Sequence, residues 1–267
     1  MPEGKRRTAT RSRSPITFFI LVFALSVPFF VLGAFAPIEL LPGLPIGAVM
    51  VVVPVAAALI LVLRQDGRAG ALALLKRSFD FRRVGAKSWY LPVILIAPGV
   101  AVVSYGLLGW MGVPVPVPEF SVVTTLVLFL VFFVAALGEE LGWSGYATDP
   151  LQDRWGALSA SLVIGAVWAV WHFIPLLQVG RSLEFIAWWS LGTIAMRVIM
   201  VWLYNNTGRS VFVMALFHAM ANLAWQLFPV QGSYFDPRIH GLLMAAVAVA
   251  VVLIWGPRTL SRFTRIA

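Results

Sequence analysis

Long apolar runs, broken by short polar, basic or Gly/Pro-rich segments, recur along the whole chain, and several reach the roughly 18 residues that mark a membrane-crossing helix. Their spacing predicts eight spans, at about 16–36, 46–63, 89–110, 121–147, 157–177, 183–203, 211–228 and 240–256. Little sequence remains between them. The expected fold is therefore all-α: a polytopic transmembrane helical bundle forming one domain over 16–256. It is flanked by a polar, basic, disordered tail at 1–15 and a basic tail at 257–267. The longest connection, 64–88, is amphipathic and too short to cross; it is expected to lie on the membrane surface with Leu72, Leu75 and Phe79 towards lipid.

Composition agrees with this pattern: of 267 residues 60% are hydrophobic and only 12% charged, and the mean hydropathy is +0.90. The net charge of +9 could suggest a nucleic-acid partner, but the placement of the basic residues accounts for it better. With the N-terminus inside, 17 of the 20 fall on the cytoplasmic side, Arg181 and Arg238 fall on the other, and Arg197 lies within the sixth span. Both termini are accordingly expected to be cytoplasmic, with the basic segments held against anionic lipid. The partners so implied are membrane lipids, not nucleic acid. A prokaryotic inner membrane suits so compact a multi-pass chain. The first run with its tail and Ala34-Phe35-Ala36 resembles a cleavable signal peptide, but the run is long for one and Pro37 opposes cleavage. Cysteine is absent, which excludes disulfides, thiolate metal sites and a thiol nucleophile.

Against this background the polar groups inside spans stand out: Glu139 and Glu140 in the fourth, His172 in the fifth, Arg197 in the sixth, His218 and Asn222 in the seventh. Ionisable groups at membrane depth are costly and face a protein interior or a watery cavity, usually with a partner. Adjacent Glu139 and Glu140 point about 100° apart, so one is expected to face a shared cavity and the other a neighbouring helix. His218 and Asn222, four apart, share a face, as do Trp168 and His172. Pro175 leaves the Trp171 carbonyl without its usual helical donor. Counted from a turn expected at 149–156, Glu139 and His172 differ by roughly 10 Å in depth. The depth of His218 suits Glu139, which suggests a site in the cytoplasmic half of the membrane.

A carboxylate shielded from water, two imidazoles and a carboxamide can activate water and hold an oxyanion. Alternatively, Glu139, His172 and His218 compose a hydrolytic zinc set. Both schemes describe cleavage of an amide in a membrane-associated peptide or protein, the first with no cofactor and the second with a divalent metal such as zinc. The stretches "EELGWSGY", "WAVWHFIP" and "FHAMAN" resemble, in order, the EExxxR, FxxxH and HxxxN motifs of the CAAX protease and bacteriocin-processing family of intramembrane proteases. That resemblance covers about 90–256. It implies an eight-span core and an endopeptidase in which Glu139 and His172 activate water, His218 and Asn222 stabilise the oxyanion, and Glu140 is a structural acid.

Two positions depart from the motifs. Trp168 stands for the phenylalanine, and Ser144 stands for the arginine on the Glu140 face of the helix. A buried glutamate without its arginine needs another cation, and Arg197, the cation inside a span, is expected to supply it. Ser144 also keeps open a non-catalytic immunity or partner-binding protein on the same fold. A proton-coupled transporter would use the same buried charges, but the polar groups cluster on four neighbouring spans without matching interrupted helices in two halves. His240 is expected at a solvated mouth, and Trp188, Trp189 and Trp202 in the interfacial belt.

Overall fold

The computed structural model describes residues 13–36, 38–227 and 235–261. The tail reading for 1–12 and 262–267 concerns residues outside this set. The described chain is a helical bundle with one two-residue turn of antiparallel sheet. Seven of its helices are long and apolar enough to cross a membrane, and the shorter apolar helix Val211–Leu227 occupies the seventh expected span. The all-α polytopic reading therefore holds, and the protein is an integral multi-pass membrane protein.

Helix α1 (Pro15–Phe35) starts on a Ser14 cap whose hydroxyl accepts from the Thr17 amide, with proline at the first helical position. A small hairpin, β1 (Glu39–Leu41) and β2 (Leu44–Pro45), turns the chain at one end of the bundle. Helix α2 (Val53–Lys76) follows, preceded by a 3-10 segment over 46–52. It breaks at Gly67, whose φ of 65° no continuous helix adopts. Beyond the break Leu72, Leu75 and Phe79 are exposed, as expected of a lipid-facing stripe. This connection is nevertheless more than a surface helix. Asp80 turns inward and accepts from the Ser210 hydroxyl and the amides of Val211 and Phe212, so it caps helix α9 (Val211–Leu227).

Helix α3 (Tyr90–Trp110) leads to α4 (Val122–Gly142), which does not end where a turn was expected. It widens into one π-helical turn over Trp143–Ala147 and continues as α5 (Thr148–Trp155). The Thr148 hydroxyl donates to the Trp143 carbonyl at 2.9 Å, and all five residues of the widened turn are buried. The reversal comes at Gly156, with φ of 80°. Counted from Gly156 instead of the middle of 149–156, Glu139 lies seventeen residues back and His172 sixteen forward. The expected 10 Å depth mismatch therefore disappears. One face of α4 is held against the 3-10 segment and the start of α2 by two glycines: a Cβ on Gly138 would meet the Val51 carbonyl oxygen at 2.8 Å, and one on Gly142 the Pro54 carbonyl oxygen at 2.6 Å.

Helix α6 (Ala157–Trp171) breaks at His172 and resumes as α7 (Phe173–Gln178). Helix α8 (Leu183–Asn206) runs through the middle, packed on α6 and on α10 (Pro237–Trp255). Both described chain ends lie at the same end of the bundle. Arg13 donates to the Gly145 carbonyl there, and the side-chain amides of Asn205 and Asn206 hold the carbonyls of Thr259 and Leu260. Trp202 is not a belt residue: it is 6% exposed and packs edge-on between Trp89 and Trp255.

Candidate active site

The two adjacent acids divide as their 100° separation requires. Glu139 lines a cavity of about 360 Å³, whereas Glu140 is fully buried behind it. Glu140 is held on both oxygens. Arg197 on α8 forms the expected pair with it, donating to Oε2 at 2.9 Å and to Oε1 at 3.1 Å. The Ser144 hydroxyl donates to Oε2 from one turn along α4, and His218 Nδ1 lies 3.2 Å from Oε1. The missing arginine of the first motif is thus replaced across the bundle, and Ser144 fills the vacated position as a donor. A forked guanidinium on a carboxylate is the strong geometry for such a buried pair.

Trp168 does what the phenylalanine of the second motif could not. Its indole N–H donates to Glu139 Oε2 at 2.8 Å, while its ring packs under the Arg197 guanidinium at 4.4 Å and edge-on to His218 at 5.1 Å between ring centres. The residue therefore joins the cavity carboxylate to the buried ion pair. Its backbone serves too. At the α6–α7 break the His172 amide bonds to Ala169, three residues back, so the Trp168 carbonyl is left for the His172 side chain. Nδ1 takes it at 2.8 Å, which puts the Nδ1 proton on the backbone side and leaves Nε2 as the basic nitrogen.

His172, His218 and Asn222 line the same cavity as Glu139, so the four residues expected to carry chemistry share one space. No hydrogen bond joins Glu139 to His172 among the described residues, although both line the cavity. The zinc arrangement finds less support. Among the described residues no three His, Asp or Glu side chains are grouped closely enough to hold a metal ion.

Parts of the wall were not foreseen. Trp189 stands 5.3 Å from the His172 ring and lines the cavity instead of the interfacial belt. His240 is half-buried in the wall, not solvated at a mouth. Trp188 lines a separate shallow pocket with Glu184 and Arg238. The hairpin contributes Leu40, Gly43, Leu44 and Pro45, and the cavity runs from Glu139 towards that end, away from the described chain ends.

Comparison with known proteins gives the same residues a context. Residues 121–224 match the family described as type II CAAX prenyl endopeptidase Rce1-like, a stretch that holds all four cavity residues and the Glu140–Arg197 pair. The resemblance to the CAAX protease family is borne out. Over 268 residues the chain is 27% identical to the CAAX prenyl protease 2 of Methanococcus maripaludis, with 90% of this chain and 93% of that protein covered. The likeness thus extends beyond residues 121–224 to most of the bundle, and both comparisons liken the chain to CAAX-protease-like peptidases.

Proposed function

We propose that the protein is an intramembrane endopeptidase that hydrolyses a peptide bond with water activated by Glu139 and His172. In this reading the water sits between the Glu139 carboxylate and His172 Nε2. Glu139 takes a proton as the water oxygen attacks the scissile carbonyl carbon. The oxyanion so formed is held by His218 and the Asn222 carboxamide, and when it collapses the C–N bond breaks and the departing nitrogen receives the proton from Glu139. Trp168 and the Glu140–Arg197 pair hold these groups without touching the reacting atoms. The observation that carries the reading is that Glu139, a membrane-buried carboxylate, faces a cavity shared with His172, His218 and Asn222. Ser144 no longer speaks for a non-catalytic protein, because Arg197 supplies the cation that its presence takes away.

The test compares membrane proteomes of cells making equal amounts of the wild type or Glu139→Ala. Fragments present only with the wild type, and absent also with His172→Ala, are expected and would name the substrate. Identical fragment profiles for all three proteins would end the catalytic reading.

A further inference from the structure

Most of helix α1 faces outward: Ile16, Ile20, Val27 and Val31 are exposed, and its buried residues are Phe18, Val22, Ser26 and Gly33. Spacings of four, four and seven put these on one face. Packing alone asks for apolar side chains in such a stripe, yet this one carries a hydroxyl and a bare backbone. Both are addressed to the α6–α7 break, although α1 lies outside residues 121–224.

Ser26 accepts the Trp171 indole N–H at 2.7 Å, and its own hydroxyl donates to the Val22 carbonyl at 2.8 Å. Gly33 makes room for Gln178, whose side-chain amide a Cβ at that position would strike. That amide donates to the Phe30 carbonyl at 2.7 Å. Trp171 is the last residue of α6 and Gln178 the last of α7. Their partners, Ser26 and Phe30, stand four apart on α1. One helix therefore grips the chain on both sides of His172.

The grip reaches the imidazole in two ways. The fully buried Trp171 ring stands edge-on to His172 at 4.9 Å between ring centres and backs onto Trp143 at 5.8 Å. The backbone matters as much. In an unbroken helix the His172 amide would take the Trp168 carbonyl, four residues back, and His172 Nδ1 would lose the acceptor it holds at 2.8 Å. Pro175 frees the Trp171 carbonyl, but it does not decide which carbonyl the His172 amide takes.

We infer that Ser26 and Gln178 are positioning residues for His172: by holding Trp171 and Gln178, α1 fixes the break that reserves the Trp168 carbonyl for Nδ1 and keeps Nε2 the basic nitrogen. The catalytic consequence rests on the peptidase reading above; the hold on the ring does not.

The chain has three histidines, so nitrogen NMR of the full chain, isotope-labelled at its histidine rings and held in detergent micelles, gives few signals. His172→Gln identifies those of His172. With the ring neutral, Nδ1 of the wild type should carry the proton and Nε2 should not. Ser26→Ala and Gln178→Leu each remove one hold. Both are expected to populate the other tautomer and to lower kcat about tenfold, the worth of one hydrogen bond, with KM little changed. Val22→Ala shortens an apolar side chain in the same buried stripe and serves as the control: it should lower thermal stability and leave the His172 signals in place. An unchanged His172 tautomer in either variant overturns the inference. So does an equal change in Val22→Ala, which would make the effect one of loosened packing. A shifted tautomer with kcat intact overturns the positioning role, since the ring would then be held without serving the reaction. The spectra do not depend on turnover, so failure of the peptidase reading, seen as identical fragment profiles with Glu139→Ala, is told apart from failure of the hold on His172.

Discussion

At the scale of single residues, the departures from the family's motifs are more informative than the matches. A phenylalanine at 168 would keep the ring but not the 2.8 Å donor to Glu139. Trp168→Phe is therefore expected to lower kcat by about 10- to 100-fold, the equivalent of losing a hydrogen bond to a charged group worth roughly 1.5–3 kcal/mol. KM should change little, because the lost bond orients a base and does not bind substrate; steady-state kinetics on a peptide found in the fragment comparison separates the two. The Glu140–Arg197 pair belongs to stability. Arg197→Leu leaves a fully buried carboxylate without its cation and should destabilise by about 3–5 kcal/mol in thermal unfolding in detergent. Adding Ser144→Arg on the Glu140 face should recover part of that loss; no recovery would mean that Ser144 cannot be replaced by the cation it stands for. The pairing could be read from the sequence, since one acid lacked its motif partner and one cation lay inside a span. The indole bond of Trp168 could not, because an aromatic exchange looks conservative until the ring nitrogen has an address.

At the scale of elements, two interruptions set the site. The π-helical turn over Trp143–Ala147 lets α4 run on into α5, so the reversal moves to Gly156 and Glu139 meets the α6–α7 break at equal depth. Apolar periodicity located these helices to within a few residues, but it carries no sign of a single widened turn, and the polar stretch 149–156 reads as a loop on composition alone. A second dependence links the surface connection to catalysis. Asp80 caps α9, the helix that bears His218 and Asn222, with three donors from its first turn. Asp80→Ala should cost about 0.5–2 kcal/mol of stability, as loss of a helix cap does. It should also loosen the start of α9 and reduce activity, whereas Asp80→Asn, which retains an acceptor, should recover most of both. Thermal unfolding and activity measured on the same preparations check this. Equal behaviour of the two variants would show that the charge beside Arg77 and Arg83, and not the cap, is what matters.

At the scale of the whole molecule, the number and order of the spans follow from hydropathy because the membrane imposes a length on every apolar helix. The shape of the cavity does not follow, because it depends on which faces of the hairpin, the 46–52 segment, α4 and α6 to α10 meet, and most residues on those faces are apolar. This explains why Trp189 was assigned to the interfacial belt and His240 to a solvated mouth: nothing in an apolar helix of even composition tells a ring at the boundary from one facing an internal void. The void itself can be tested apart from chemistry. Ala135 lies one turn from Glu139 on α4, on the path towards the hairpin, and lines the cavity without touching the buried ion pair. Ala135→Trp adds bulk to a space of about 360 Å³. If substrate reaches Glu139 through that space, kcat/KM should fall more than tenfold while the unfolding temperature stays the same or rises, since filling a void restores packing contacts. Full activity with the same stability would mean that substrate reaches Glu139 by a path that bypasses this part of α4. Loss of activity together with lower stability would mean that the wall has no room to give at Ala135. In that case Ala221→Phe, on the opposite wall, makes the same test from α9.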